Sequence, residues 1–484
     1  MKPLRYLAWA TCALTLTACG SEGSTSSGAP STTGPVCALA APTPSDWRLL
    51  ADSTTLKDGL GRTVFLRGVN AGGRSKFAPY VPFDYAPGQY ATALDSYMAR
   101  AQSWGIDAMR VPFTWAALEP VEGQDDQAWL SRYAELLGAA WAHGIYTIID
   151  FHQDIYSEVY CGDGFPGWTV PNPPAPHHDC PGWSARYVGD PNVVQAFDHF
   201  WGNTTGVQTE YQAAWDRMIA HFADTPGVIG FEPINEPAAG SQAETPFEAQ
   251  TLTTFHMQVA AHMRAAAPHS LVFVDPAGIN GLTATTHLGN PGVTGVVFAP
   301  HYYPLGPQSP AAVLSGLGNW ADVGRAWNVP VWLGEFGASN TDPNGAAYIA
   351  SVFAAADALG LSGVEDWEYS VSTELWNSES NSVVAADGTE YPVAQALIRP
   401  FARAVAGSAV TQRWDTASRT FALSYVPGNP ATNVSAVRLP SRAYPSGYAV
   451  EIEGGCYDPT HAPGELLVQP TAGSTIVTLT VTPK

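Results

Sequence analysis

The sequence predicts an α/β fold, a (β/α)8 TIM barrel with a small C-terminal β-sandwich domain. Three observations carry this reading. Eight short apolar runs alternate with Ala-rich helix candidates between about residues 65 and 400. Polar residues collect where those runs end, and the C-terminal ends of its strands are where this barrel keeps its chemistry. Past about Gly407 the pattern changes to period-two alternation, the mark of half-buried antiparallel strands.

The first strand candidate is Phe65-Leu66-Arg67-Gly68-Val69-Asn70; the others are 109–113, 146–152, 229–236, 271–275, 296–303, 331–336 and 363–369. Between them 91–103, 129–142, 211–222, 247–266 and 345–358 read as helices. Near-continuous apolar strands separated by helices imply a parallel sheet covered on both faces. The rival, an open doubly wound sheet, would need a Gly-rich phosphate loop after an early strand, and the sequence has none. Segment 154–206 is long for a βα connection and rich in Pro, Gly, Trp, His and Cys. Long loops in compact domains are usually lids or binding walls, so a substrate-binding wall carrying Trp168 and Trp183 is expected there. In 420–425 and 475–481 apolar residues alternate with Ser and Thr, which places a sandwich after the barrel. The expected divisions are a signal peptide 1–18, a flexible tether 19–42, the barrel 43–405 and the sandwich 406–484.

Composition narrows the function. Of 484 residues 45% are hydrophobic and 13% charged, as in a packed globular protein. A formal net charge of −21 excludes the basic footprint of a nucleic-acid binder and disfavours electrostatic docking on anionic membranes. The 16 Trp and 20 Tyr supply core aromatics first, with some left to stack on sugar rings. Lys2 and Arg5 precede an apolar stretch, 6–18, too short to span a bilayer. Leu16-Thr17-Ala18-Cys19 then looks like a bacterial lipobox, with Cys19 the lipidated residue and a Ser/Thr/Gly/Pro tract as its tether. An exported protein held at a membrane surface by that lipid is expected, with an ordinary cleaved signal as the alternative. Export permits disulfides. Cys37, Cys161, Cys180 and Cys456 remain, and four cysteines allow three connectivities. Cys161–Cys180 would close one Pro- and Gly-rich loop, leaving Cys37–Cys456 to tie the tether's end to the C-terminal domain. No Cys or His pair has zinc-like spacing, and no cofactor is expected. A monomer is expected.

Two glutamates carry the chemistry. One lies in Gly230-Phe231-Glu232-Pro233-Ile234-Asn235-Glu236-Pro237, the other in Val331-Trp332-Leu333-Gly334-Glu335-Phe336-Gly337. Two carboxyls facing each other across a cleft suffice to break a glycosidic bond: one protonates the leaving oxygen, the other attacks the anomeric carbon or activates water. Glu236 beside apolar walls would be the acid/base and Glu335 the nucleophile, with Arg110 as its cation. Alternation puts Glu232 on the face of Glu236 but deeper, as a buried carboxylate for Arg110.

These residues resemble glycoside hydrolase family 5 from about Trp47 to the C-terminus. Arg110, His152, Asn235, Glu236, His301, Tyr303, Glu335 and Trp367 match the family's site in order. Within it, Asp150-Phe151-His152-Gln153-Asp154 and the barrel-plus-sandwich layout look most like the endoglycoceramidases, as does Arg403-Ala404-Val405-Ala406-Gly407. The resemblance implies retention through a covalent glycosyl-enzyme. It implies Asn235 on the sugar 2-hydroxyl, His152 and His301 on hydroxyls or orienting the carboxyls, Tyr303 holding the nucleophile and Trp367 under the sugar. It also puts Lys76 and Asp154 on the next sugar, a solvated surface charge being the other reading of each. Glu365, Asp366 and Glu368 depart from the pattern. The expected substrate is a glycolipid, with ceramide released. The alternative is another β-glycoside or a β-glucan cut by the same pair. A non-catalytic binding lipoprotein conflicts with the intact glutamates.

Overall fold

The computed structural model describes residues 31–32, 34–44, 46–170, 182–371, 380–429 and 431–484. The expected signal peptide, Cys19, most of the tether and Cys180 lie outside them. Eight strands make the barrel: β1 (Leu66–Ala71), β2 (Ala108–Phe113), β3 (Tyr146–Phe151), β4 (Val228–Glu232), β5 (Leu271–Val274), β6 in two pieces (Val296–Phe298 and His301–Tyr302), β7 (Trp332–Phe336) and β8 (Gly363–Tyr369). β1 to β5 pair in sequence, β8 pairs with β1 and β7 with β8, all parallel. β6 closes the ring. Its first piece pairs with β5 and its second with β7, and Pro300, which has no N–H for a ladder, sits at the break. Phe298 bridges Val331, and Gly334 N–H donates to the Pro300 carbonyl across the join. All strand residues are buried, as two covered faces require.

The longer helices among the described residues are α1 (Tyr90–Trp104), α2 (Gln127–Ala142), α3 (Pro191–Trp201), α4 (Val207–Phe222), α5 (Thr253–Ala266), α6 (Pro310–Trp327) and α7 (Gly345–Leu359). Local signals set their ends. Asp126 caps α2 by accepting from the Ala128 and Trp129 N–H groups, and Gly105 ends α1 at φ +89°, where a Cβ would strain the chain. The long segment after β3, read from the sequence as a binding wall, contains α3, which buries Val193, Ala196, Phe197 and Phe200 along one face. Between β5 and β6 there is a 3-10 turn, Gly278–Leu282. The Glu248 carboxylate pins that connection, accepting from Ala277 N–H, Thr286 Oγ1 and His287 N–H.

The C-terminal part is two sheets face to face. One runs Gly407–Asp415, Thr420–Pro427, Val477–Pro483, Tyr448–Glu453 and Ser31–Thr32. The other runs Gly455–Ala462, Glu465–Pro470, Ser435–Arg438, Phe401–Val405, Thr63–Val64, Thr55–Lys57 and Leu50–Asp52. Phe421, Leu423, Tyr425, Val477, Leu479 and Val481 alternate inward from the first and pack into one core with Val437, Leu466 and Val468 from the second. Phe401–Val405 and the N-terminal hairpin lie on the barrel side of the junction expected at 405/406, yet both pair in this second sheet. Cys37 and Cys456 form a disulfide with Cα atoms 5.9 Å apart. Cys161 is also disulfide-bonded. Among the described residues no helix is long and apolar enough to cross a membrane.

Candidate active site

The site sits where β2, β3, β4, β6, β7 and β8 end. Arg110 of β2 is fully buried and is its hub. Its Nε and Nη2 fork onto Glu232 Oε2 and Oε1, both at 2.8 Å, at the end of β4. Nη1 donates to Glu335 Oε1 at 2.6 Å and to Asn70 Oδ1 at 3.0 Å. Nη2 reaches Asn235 Oδ1 at 2.8 Å and Asp150 Oδ1 at 3.0 Å. Burial alone would lower Arg110; the carboxylates of Asp150, Glu232 and Glu335 override it and hold the guanidinium well above its ordinary range. Burial pushes the Glu232 carboxyl up to about 7, against Arg110.

Glu335, on β7, also accepts the Tyr303 hydroxyl at Oε2, 3.1 Å away. Glu236 was expected on the strand itself. β4 ends at Glu232, and Glu236 lies in the turn beyond it, at φ +42°. The physical reason is Pro233, which ends the ladder by removing an N–H. His301 stands between the two glutamates. Its Nδ1 is 2.9 Å from Glu236 Oε1 and 3.6 Å from Glu335 Oε2. One carboxylate oxygen of each glutamate and a His301 nitrogen all lie within 4.8 Å of one another. Burial pushes Glu236 up to about 7, with Asp154 adding to it, although a fifth of its side chain faces solvent. Burial lowers His301 to about 4, so the ring between them is neutral.

His152 is the opposite case. Burial would lower it, but Asp150, 2.7 Å from Nδ1, and Asp154, 3.5 Å from Nε2, raise it to about 10. Its ring stacks on Trp367 at 5.2 Å between centroids. Lys76 Nζ lies 4.6 Å from the same indole and 2.8 Å from Asp154 Oδ2. Both Lys76 and Asp154 are buried, which excludes the solvated-surface reading of each. Burial would raise Asp154, but Lys76 and His152 hold it well below the usual carboxylate range. Glu368 accepts from Gly73 N–H and Ser382 Oγ, and Glu365 accepts from Trp332 Nε1 at 3.0 Å. Those two β8 carboxylates are therefore tied into the barrel.

Lys76, His152, Asp154, Asn235, Glu236, Tyr303, Glu335 and Trp367 line one cavity of about 670 Å³. Its other wall is mostly apolar, with Trp183, Tyr187, Pro237, Ala238, Ala239, Ala277 and Leu282, and with Ser184, Gln242 and Glu244 among them. That wall adjoins Glu236, since Pro237 follows it in the chain and Gly278 is so close that a Cβ there would fall 2.7 Å from the Glu236 Cβ. Trp168 does not line the cavity; its Nε1 donates to the Glu119 carbonyl at 3.0 Å. Asn70, Asp150, Gln153 and Asp275 were not singled out in the sequence reading. Asp150 and Gln153 flank His152 within a motif whose histidine drew the attention, and Asp275 ends a strand run that was noted for its pattern alone.

Residues 70–381 match the family described as Cellulase (glycosyl hydrolase family 5), and residues 399–482 match the glycoside hydrolase family 5 C-terminal domain. The chain is 30% identical to "Endoglycoceramidase I" of Rhodococcus hoagii (strain 103S) over 90% of its own length and 88% of that protein's. Two solved structures of endo-glycoceramidase II from Rhodococcus sp. are each 28% identical to it, covering 90% of this chain and 100% of theirs. One is a ganglioside GM3 complex, with a TM-score of 0.74, and the other a lactosyl-enzyme intermediate, with a TM-score of 0.73.

Proposed function

This chain belongs to glycoside hydrolase family 5, and from that membership we propose that it is a retaining endo-β-glycosidase cutting between the glycan and the ceramide of glycosphingolipids. It is an O-glycosyl hydrolase. The observation that carries the lipid part of the reading is the apolar wall beside Glu236. The acid must touch the leaving oxygen, so whatever leaves lies against Trp183, Tyr187, Pro237 and Ala277. The polar residues, Lys76, His152, Asp154 and Asn235, remain for the glycan.

The reaction runs in two displacements. Glu335 attacks the anomeric carbon while Glu236 gives its proton to the glycosidic oxygen; the C–O bond breaks and ceramide leaves as a neutral alcohol. Glu236, now a carboxylate, takes a proton from water, whose oxygen attacks the same carbon and frees Glu335. Arg110 and Tyr303 orient Glu335 through one oxygen each. Arg110 also fixes the Asn235 Oδ1 and the Gln153 backbone carbonyl accepts one of its Nδ2 hydrogens, which leaves the other N–H for the sugar 2-hydroxyl. Neutral His301 meets Glu236 without a competing charge, and Trp367 offers a face to the sugar ring. Two carboxylates this close leave no room for a water between them, as retention requires. We place the enzyme outside the cytoplasm, held at a membrane surface through Cys19. The lipobox and the Cys37–Cys456 disulfide support that placement.

The test is to incubate residues 31–484 with lactosylceramide or a ganglioside in detergent. Intact oligosaccharide plus free ceramide is the expected result. No release, alongside turnover of an aryl β-glucoside or a β-glucan, would keep the glutamate pair and overturn the lipid substrate.

A further inference from the structure

We infer that Gln153 and Asp275 are positioning residues for the proton donor, and that together they clamp the backbone of Glu236. The inference rests on the reading of Glu236 as the acid/base. Glu236 lies past the end of β4, so no strand ladder holds it. At φ +42° it occupies the left-handed region, which a non-glycine residue keeps only where its surroundings impose it. Two side chains do so. Asp275 Oδ2 accepts the Glu236 N–H at 2.9 Å. Gln153 Nε2 donates to the Glu236 carbonyl at 3.1 Å and to the Asn235 carbonyl at 2.9 Å. Gln153 is itself fixed, its Oε1 accepting the Tyr156 N–H at 3.1 Å. Gly278 closes a third side.

Both clamp residues are buried, and neither lines the cavity. Their geometry therefore acts through Glu236 and not on the substrate. Burial, with the charges of Glu232 and Glu236, raises the Asp275 carboxyl well above its ordinary range. Proton transfer needs the donor oxygen within hydrogen-bond reach of the leaving oxygen, so a backbone free to relax from φ +42° swings the carboxyl out of line.

The test uses two β-glycosides that share a glycone the enzyme turns over, one with an aliphatic alcohol as leaving group and one with dinitrophenolate. Dinitrophenolate departs unprotonated, so glycosylation of Glu335 from that substrate bypasses the acid. Active sites are counted first by the dinitrophenolate burst from a 2-deoxy-2-fluoro analogue, which normalises every rate to folded enzyme. Asp275→Ala and Gln153→Ala are expected to lose roughly 100-fold in kcat/KM on the alkyl glycoside and less than about threefold on the dinitrophenyl glycoside. Azide is expected to raise their kcat on the dinitrophenyl substrate. It attacks the anomeric carbon of the glycosyl-enzyme without losing a proton, releases the Glu335 carboxylate and yields the glycosyl azide. Asp275→Asn keeps an acceptor oxygen and is expected to stay within about tenfold of the parent on the alkyl glycoside. Equal losses on both substrates, or an unchanged alkyl rate, would overturn the clamp. Glu236→Gln runs alongside: if it lacks the same split, the acid assignment itself fails and the clamp falls with it.

Discussion

Glu236 and His152 show how neighbours assign protonation within one cavity. Burial raises Glu236 to about 7, so its proton is present below about pH 7 and lost above it. The expected outcome is a kcat/KM on an unactivated glycoside that falls as pH rises through about 7. Glu236→Gln removes that limb and lowers the rate by about 10²-fold or more. A parent profile flat to pH 9 would contradict this. His152 responds in the other direction. Its folded value of about 10 lies above the ordinary 6.5, so its charge contributes stability that is fully present below about 6.5 and lost as pH rises through about 10. His152→Gln should therefore cost most stability at about pH 6 and progressively less near pH 10, read from urea midpoints at the two pH values. The residues legible in the sequence are those whose type announces chemistry, the glutamates, histidines, Arg110, Lys76, Asp154 and Trp367, with Asn235 and Tyr303 legible through the family pattern. Gln153 and Asp275 were illegible because they grip a neighbouring backbone, and any acceptor or donor of the right length fits that job.

Strands were more legible than connections, for a physical reason. A barrel strand buried on both faces tends to a largely apolar run, and β3 to β7 read that way, while Arg67 and Asn70 of β1, Arg110 of β2 and the acids of β8 interrupt theirs with buried, hydrogen-bonded polar groups. β6 read as one strand; its split at Pro300 depends on how the ring closes, which no local pattern encodes. α3 was hidden inside a Pro- and Gly-rich stretch read as loop, although Asp190-Pro191 is a helix start: Asp190 caps by accepting from the Asn192 N–H, and Pro191 sits at the first helical position. α3 backs the cavity wall, since Phe197 packs edge-on to Tyr156 at 5.4 Å and against Tyr187 at 6.0 Å. Phe197→Ala is expected to cost about 3–5 kcal/mol and to weaken lipid substrates more than soluble aryl glycosides. Paired measurements of denaturant midpoint and of KM on the two substrate kinds check this.

The whole molecule is one chain folded back on itself. The segment before the barrel supplies strands to both sheets of the C-terminal domain, so barrel and sandwich share a seam to which residues on both sides of 405/406 contribute. The Cys37–Cys456 disulfide closes that circuit across 419 residues. Replacing both cysteines with Ser is expected to cost about 2–5 kcal/mol and to leave turnover of a soluble glycoside unchanged, read by thermal midpoint and by rate. The same link decides where mechanical load travels. A pull on the chain upstream of Ser31 meets the Ser31–Thr32 strand first and then the covalent stop at Cys37, and it passes into Gly455–Ala462 of the sandwich. If the chain is anchored through Cys19 as proposed, tension from that anchor is grounded in the sandwich before it reaches β1, and the carboxyl pair is spared the load.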